Sequence, residues 1–476
     1  SLAAILGGVF EGGEDTIWIH PDPNFNDEIV FNPEHPNWLL HKELLKACKA
    51  KANGNYFVGM PDLMEGLDVL AALKGTDMVL LDTVMQPEVL EQQMQQINDI
   101  YFKVFDELYD IIREGDEMAF CYFSSWAPGK MSKLQSDIST MISQDDYRRF
   151  VQPFIREQCQ KIDYTLYHLD GVGAMHHLPA LLEIEELNAI QWTPGVGEPQ
   201  GGSPKWYDLY KKILAGGKSV MACWVTLEEL KPLLDHIGAD GVHLEMDFHN
   251  EREVEQAMRI IEEYTGSSLS VSADVHTNQP VGEQDNAQES IRIREEKSQE
   301  EDRLKPLYDA IVAGKLELAV EVTKDAIAAG VLPQDIINGY MITAMGEVGQ
   351  RFQDGKAFVP QLLMAGRAMK GALELLKPLL AGNASATIGK IVIGTVKGDL
   401  HDIGKNLVAS MLEGCGFEVI NIGIDVTCDK FVEAVKENKA DILCMSALLT
   451  TTMTYMQDVI RALEEAGIRD QVKVMI

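Results

Sequence analysis

The sequence predicts an α/β chain in three parts: an N-terminal TIM-type (β/α)8 barrel, a four-helix bundle, and an open, doubly wound, Rossmann-like sheet. Three observations predict this. Short apolar runs alternate with amphipathic stretches through the first 264 residues; one purely helical pattern then follows a polar gap; the last ninety or so residues return to strand and helix in strict alternation. The apolar runs of the first part are Asn55–Gly59, Met78–Leu81, Met118–Tyr122, Tyr164–Tyr167, Asn188–Trp192, Ser219–Trp224 and Gly241–Glu245. Repeated strand and helix over this length fits a parallel barrel, with an open doubly wound sheet as the alternative.

Residues 265–300 are rich in Ser, Gln, Asn and Glu without apolar periodicity, and they read as a flexible linker. Residues 301–382 carry Ile336, Ile337, Tyr340, Met341, Ala344 and Val348 at helical spacing, with Gly314, Gly330 and Gly355 as turn markers, hence the bundle. Residues 383–476 begin with the strand Lys390–Gly394 and close inside a strand starting near Val472. Both ends of the chain are expected to fall short of complete domains, since the barrel pattern starts late and the last strand is cut.

Composition narrows the functional classes. The 476 residues carry a formal net charge of −33, which disfavours nucleic acid and anionic lipid as partners. No apolar run is long enough to span a bilayer, and the first residues lack the basic flank of a secretory signal, so a cytoplasmic enzyme is expected. Seven cysteines are scattered without a C-x-x-C pair, as reduced thiols would be.

The strongest chemical signal lies in the first loop of the last domain, Gly398-Asp399-Leu400-His401-Asp402-Ile403-Gly404. Ligands of an open α/β sheet sit beyond the carboxyl ends of its strands. There a neutral imidazole can give one ring nitrogen to a metal while a carboxylate two residues away holds the other, fixing the tautomer. The loop, together with Ser446 and Leu448, resembles the cobalamin-binding domain shared by methionine synthase and methanogen-type and acetogen-type corrinoid proteins, whose motif is D-x-H-x-x-G followed by S-x-L. The resemblance implies a corrinoid with His401 as the lower ligand of its cobalt. It places Asp399 and Thr452 in the relay behind that ligand, Asp402 and Gly404 in the loop, Ser446 and Thr450 along the nucleotide-tail slot, and Leu448 with Ser446 in the S-x-L motif. It also makes the preceding bundle a helical cap, with Phe352 and Val359 shielding the upper corrin face.

In the N-terminal part, polar residues follow the expected strands: Asp62, Tyr122 and Ser124, His168 and Asp170, Gln191, Cys223, then His243, Glu245 and Asp247. On a barrel these converge on one mouth. The run Tyr167-His168-Leu169-Asp170-Gly171, with Ala189-Ile190-Gln191-Trp192-Thr193-Pro194, resembles the uroporphyrinogen decarboxylase superfamily. Its methyltransferase branch holds zinc with H-x-C and a later Cys; here Asp170 stands in place of the first Cys and Glu245 lies in the region of the second. A His and carboxylates suit zinc as a Lewis acid toward a leaving oxygen or nitrogen.

The reading is a methyltransferase in which His168, Asp170, Glu245 and Tyr122 serve a small methylated substrate and the methyl passes to the corrinoid. A second methyltransferase and a corrinoid-reactivating protein are the expected partners. Transfer from a methylcorrinoid to a thiol or folate, and a carrier or sensor without catalysis, are the alternatives. A tetrapyrrole decarboxylase is disfavoured, because none of the six arginines before residue 265 follows an expected strand. His176 and His177 are expected as helix-capping or surface residues, and Cys223 as packing.

Overall fold

A computed structural model describes residues 1–264 and 298–476, except 13–16, 22–24, 65, 124, 196, 381–388, 400–402 and 448–449. The expected linker, save its last three residues, lies outside the described residues, as do His401, Asp402 and Leu448; of Thr450 the backbone alone is described.

The N-terminal part is built on parallel strands β1 (Gly59–Met60), β2 (Met118–Phe120), β3 (Met131–Leu134), β4 (Tyr164–Asp170), β5 (Ala189–Thr193), β6 (Ser219–Ala222) and β7 (Val242–Leu244). β3 to β7 form one five-stranded sheet in chain order, whereas β1 and β2 pair in a second sheet with the antiparallel strand Trp126–Ala127. With the antiparallel pair Val9–Gly12 and Ile17–His20, the described strands of this part thus make three separate sheets, not a closed ring of eight. The order and parallel sense of β1 to β7 are those expected of consecutive βα units.

Helices cover the sheets for evident reasons. Pro87–Ile112 buries Leu90, Met94, Ile97, Tyr101, Val104 and Leu108, spaced three and four apart on one face. Leu227–Ile237 starts at a reciprocal capping box between Thr226 and Glu229.

Two expectations are corrected here. Met78–Leu81 is not a strand but the middle of helix α1 (Thr76–Met85), with Val79, Leu80 and Leu81 buried. A short apolar run has no periodicity that separates a buried helix from a buried strand. Conversely β3 was not anticipated, because Lys133 interrupts its apolar run.

The helical module comprises α2 (Ser298–Val312), α3 (Leu316–Ala328), a helix running from Pro333 through a π turn at Ile337–Met341 into α4 (Ile342–Gln353), and α5 (Val359–Leu380). Leu307, Ile311, Ile336, Met341, Leu373 and Leu376 form its core. This is the expected four-helix bundle.

The last module has strands β8 (Lys390–Thr395), β9 (Glu418–Asn421), β10 (Ile442–Ser446) and β11 (Lys473–Met475) and helices α6 (Ile403–Gly414), α7 (Cys428–Asn438) and α8 (Thr450–Glu465). All strand pairs are parallel in the order β9-β8-β10-β11, a doubly wound sheet. Bundle and sheet meet where α5 crosses α6 at Gly366 and Gly414. A Cβ at Gly414 would lie 2.8 Å from the Gly366 Cα, so side chains are excluded from this crossing.

The bundle, together with α6 of the last module, docks on the N-terminal part. Val359 and Leu363 join its hydrophobic core, Phe358 stacks on His176 with ring centroids 6.0 Å apart, and Ser410 Oγ donates to Asp77 Oδ2 at 3.0 Å.

Candidate functional site

Strand register assembles the N-terminal site. Across the five-stranded sheet Lys133 lies beside Leu166, Leu166 beside Ala189, His168 beside Gln191, Gln191 beside Met221, and Met221 beside His243. Because alternate residues of a strand share a face, Leu166, His168 and Asp170 point the same way. The inner face therefore carries an apolar cluster of Leu166, Met221 and Cys223, with Phe123 packed against it, next to the polar residues at the carboxyl ends.

Among the described residues, Asp137, His168 and Asp170 place one ligand atom each within 4.8 Å of one another, a set that could hold a metal ion. Gln191 orients the imidazole. Its Nε2 donates to Thr193 Oγ1 at 2.8 Å and to Cys223 Sγ at 3.2 Å, which turns its amide oxygen to Nδ1 of His168. That network assigns the ring proton to Nδ1 and leaves the Nε2 lone pair for a metal. Burial, with Lys133 adding to it, holds the His168 pKa below its ordinary value against the opposing Gln191 bond and Asp170, so the neutral ligand form is favoured. Asp137 reaches solvent at the rim, yet desolvation by the surrounding walls and the neighbouring Asp170 raise its pKa. Both its features are what a divalent cation would relieve.

Asp137 is set in place from behind. Buried Asp68 accepts from the backbone N–H of Asp137 at 2.9 Å and of Ile138 at 3.0 Å, anchoring the start of the turn Asp137–Met141. Gln135 Nε2 donates to Asp137 Oδ2 at 3.0 Å, and Gln135 Oε1 accepts from Lys133. Lys133 is itself buried in an ion pair with Asp62, and its Nζ lies 5.7 Å from the ring centre of Tyr122. Sequence reasoning missed Lys133, Gln135 and Asp137; the signal that could have found them is the polar run Lys133-Leu134-Gln135-Ser136-Asp137 at the close of an unrecognised strand.

Of the residues expected here, His168 and Asp170 come together, and the half-exposed Tyr122 borders them through Lys133. Glu245 does not join them. It continues β7, three strands from β4, or about 14 Å at the usual strand spacing. Its carboxylate lies beside Cys223, whose pKa is raised by burial and then by the hydrogen bond with Glu245. Cys223 is thus a buried neutral thiol, in keeping with the packing role expected. His177, expected at the surface or as a cap, is buried: it stacks on Tyr147 at 4.3 Å and its Nε2 meets Ser139 O at 2.8 Å. His176 bridges the carbonyls of Gly173 and Ile142.

The second site lies between β8 and β10, where the chain reverses its direction of winding and such sheets hold their ligands. Thr395 and Ser446 are register partners at the two strand ends. Gly398, at φ +81°, turns the chain so that Asp399 becomes fully buried, and Thr452 Oγ1 at the start of α8 donates to Asp399 Oδ2 at 2.6 Å. The Asp399 backbone is tied to Val396 and Asp425. A Cβ at Gly404 would meet open space, which leaves room along the start of α6. A buried carboxylate with a hydroxyl donor behind it, on the strand edge that faces the ligand slot, suits a histidine-ligated corrinoid. Phe352 is exposed and Val359 buried, so the structure does not bring these two expected shielding residues to one environment.

Comparison with known proteins bears on the cofactor of this region. Residues 303–377 and 389–476 each match a family model described as a B12 binding domain. The chain is 46% identical over 170 residues to trimethylamine corrinoid protein 1 of Methanosarcina acetivorans, covering 35% of this chain and 79% of that protein. It is 44% identical over 177 residues to the dimethylamine corrinoid protein of Methanosarcina barkeri, covering 37% of this chain and 83% of the relative. Among solved structures, a cobalamin-binding protein from Desulfitobacterium hafniense is similar at 35% identity and a TM-score of 0.32, over 36% of this chain and 81% of its own. A methanol:cobalamin methyltransferase complex from Methanosarcina barkeri gives 34% identity and a TM-score of 0.32, over 38% of this chain and 71% of its own. The chain belongs to the B12-binding corrinoid proteins, and a corrinoid is its cofactor.

Proposed function

We propose that this protein is a corrinoid-dependent methyltransferase whose N-terminal barrel unit demethylates a small methylated substrate and hands the methyl group to a corrinoid bound by the same chain. The observation that carries the reading is the Asp137–His168–Asp170 cluster, with Lys133 behind it, at the carboxyl edge of a parallel sheet in a chain that also holds two B12-binding modules. Carboxyl edges of such sheets are where chemistry is found. The names of the relatives, corrinoid proteins for trimethylamine and dimethylamine, support a methylated small molecule as donor.

In this reading His401 is the lower ligand of the cobalt, and Asp399, held by Thr452, fixes the tautomer and orientation of that histidine. Ser446 and Thr450 line the tail slot, Leu448 belongs with Ser446 to the S-x-L motif, Asp402 and Gly404 complete the loop, and Phe352 and Val359 belong to the cap. The bound corrinoid supplies the nucleophile that accepts the methyl group. The barrel residues bind and polarise the donor. Asp137, Asp170 and Nε2 of His168 are a hard, three-point donor set that suits zinc with an open position for substrate.

Tyr122 borders the same space, while Glu245 serves the opposite wall beside Cys223. The missing thiolate argues against transfer to a thiol acceptor, since Cys223 stays protonated and turned to Gln191 and Glu245. Tethering donor site and corrinoid in one chain raises their effective concentration. A second methyltransferase that unloads the corrinoid and a protein that reactivates it are the partners this reaction requires.

The test is to reconstitute the chain with hydroxocobalamin, reduce it, and follow the visible spectrum on adding methyl donors. Methylation that depends on His168 is expected. A reduced holoprotein whose spectrum no methyl donor alters refutes the reading.

A further inference from the structure

Lys133 is an unusual residue to find in a parallel strand. It is 5% exposed and shares the inner face with Leu166, one step below His168. An ammonium has three N–H donors. Asp62 and Gln135 accept two of them; among the described residues no acceptor takes the third. A buried donor short of an acceptor is costly, and an incoming ligand atom with a lone pair relieves it. Gln135 bonds both Lys133 and Asp137, so this ammonium is coupled to the metal-type cluster by a single amide. The Tyr122 ring, 5.7 Å from Nζ, walls the same space.

We propose that Lys133 is the hydrogen-bond and proton donor to the leaving atom of the methylated substrate, and that this atom is an oxygen, which makes the donor a neutral methyl ether. This rests on the methyl-transfer reading. A methylammonium ion, quaternary or protonated, offers no lone pair to an N–H, brings a positive charge toward an ammonium, and departs as a neutral amine that needs no proton. An ether oxygen meets all three conditions in the opposite sense. The C–O bond breaks with its electron pair retained by oxygen, the methyl carbon passes to the reduced corrinoid, whose metal gives up two electrons, and a proton moves from Nζ of Lys133 to that oxygen. Solvent then returns a proton to Lys133, and the product is the free alcohol.

The experiment uses the full chain loaded with zinc and hydroxocobalamin, with 4-nitrophenol as a probe of the leaving oxygen, because its phenolate is visible on binding. Wild type is expected to bind it as the phenolate at a pH where the free phenol is still protonated. Lys133→Met is expected to weaken binding by about 10 to 100-fold, the range for a lost hydrogen bond to a charged group, and to abolish the phenolate absorbance. Asp62→Asn with Lys133→Met removes the pair without leaving a buried charge, and an unchanged far-UV circular dichroism spectrum and melting temperature in that variant show that the N-terminal fold survives. It should reproduce the same loss.

Wild-type-like phenolate binding in both variants, or no phenolate binding by the wild type, overturns the proposal. So does methylation of the corrinoid by tetramethylammonium but by no methyl ether. If phenolate binding depends on Lys133 and yet no donor methylates the corrinoid, the methyl-transfer reading falls and Lys133 stands as the donor of an oxyanion site.

Discussion

Thr452→Val isolates one bond of the corrinoid site. Valine keeps the branched shape and removes the hydroxyl that donates to Asp399 Oδ2 at 2.6 Å. Thr452 is 6% exposed and Asp399 0%, so little solvent is at hand to replace the donor. A hydrogen bond to a charged group contributes about 1.5–3 kcal/mol, and loss of a comparable partner behind a metal ligand lowers metal affinity about 10 to 100-fold. The variant is therefore expected to bind hydroxocobalamin about 10 to 100-fold more weakly, with part of the bound corrinoid losing the histidine-ligated spectrum that His401→Ala loses entirely. Titration followed by visible absorbance at fixed pH reads both effects. Unchanged affinity together with an unchanged axial spectrum would refute a relay through Thr452, even if His401 proved to be the ligand.

Asp137→Asn and His168→Ala each remove one member of the metal-type cluster and should lower the zinc retained after dialysis, measured by elemental analysis, while Glu245→Gln should not. Gly414→Val forces a side chain into the α5–α6 crossing, where even a Cβ would sit 2.8 Å from backbone; overpacking of this kind costs about 1–3 kcal/mol, read as earlier thermal unfolding of the corrinoid module. His177 has its pKa pushed down to about 4, chiefly by burial, from an ordinary 6.5. The unfolded chain therefore takes up this proton first, and stability is lost as pH falls from about 6.5 toward about 4. His177→Gln should flatten that limb in melting temperature against pH; an unchanged limb would show that other groups govern it.

The corrinoid module was legible because its chemistry is local. Asp399, His401 and Gly404 lie within six residues of sequence, and Ser446 is the first polar residue of β10. The N-terminal site was legible only where a strand carried its own ligands, as His168 and Asp170 do on β4. Asp137 belongs to the cluster through β3 lying next to β4, a pairing that spacing along the chain does not report. Glu245 shows the reverse: it follows a strand at the same height as Asp170, yet two strands of sheet lie between them. The Met78–Leu81 run was given the wrong element because burial on all sides erases the period by which helix and strand differ.

Lys133 links what was hidden to what the site does. A charge in the middle of Met131–Leu134 breaks the apolar signature of the strand, and burying it is unfavourable unless a counter-ion comes with it. Asp62 provides that partner from the loop after β1, in a pair whose side chains are 4% and 20% exposed. Replacing such a pair by apolar residues of similar volume is often neutral or stabilising, whereas removing one partner strands the other. Asp62→Leu with Lys133→Met is accordingly expected to melt within a few degrees of wild type or above it, while Lys133→Met alone melts lower and the double variant loses Lys133-dependent phenolate binding. Calorimetry of the three proteins decides the matter. If the double variant unfolds as early as the single one, the pair holds the strand in place and its burial needs no functional explanation; if it is as stable as wild type, the charge was kept for something other than the fold.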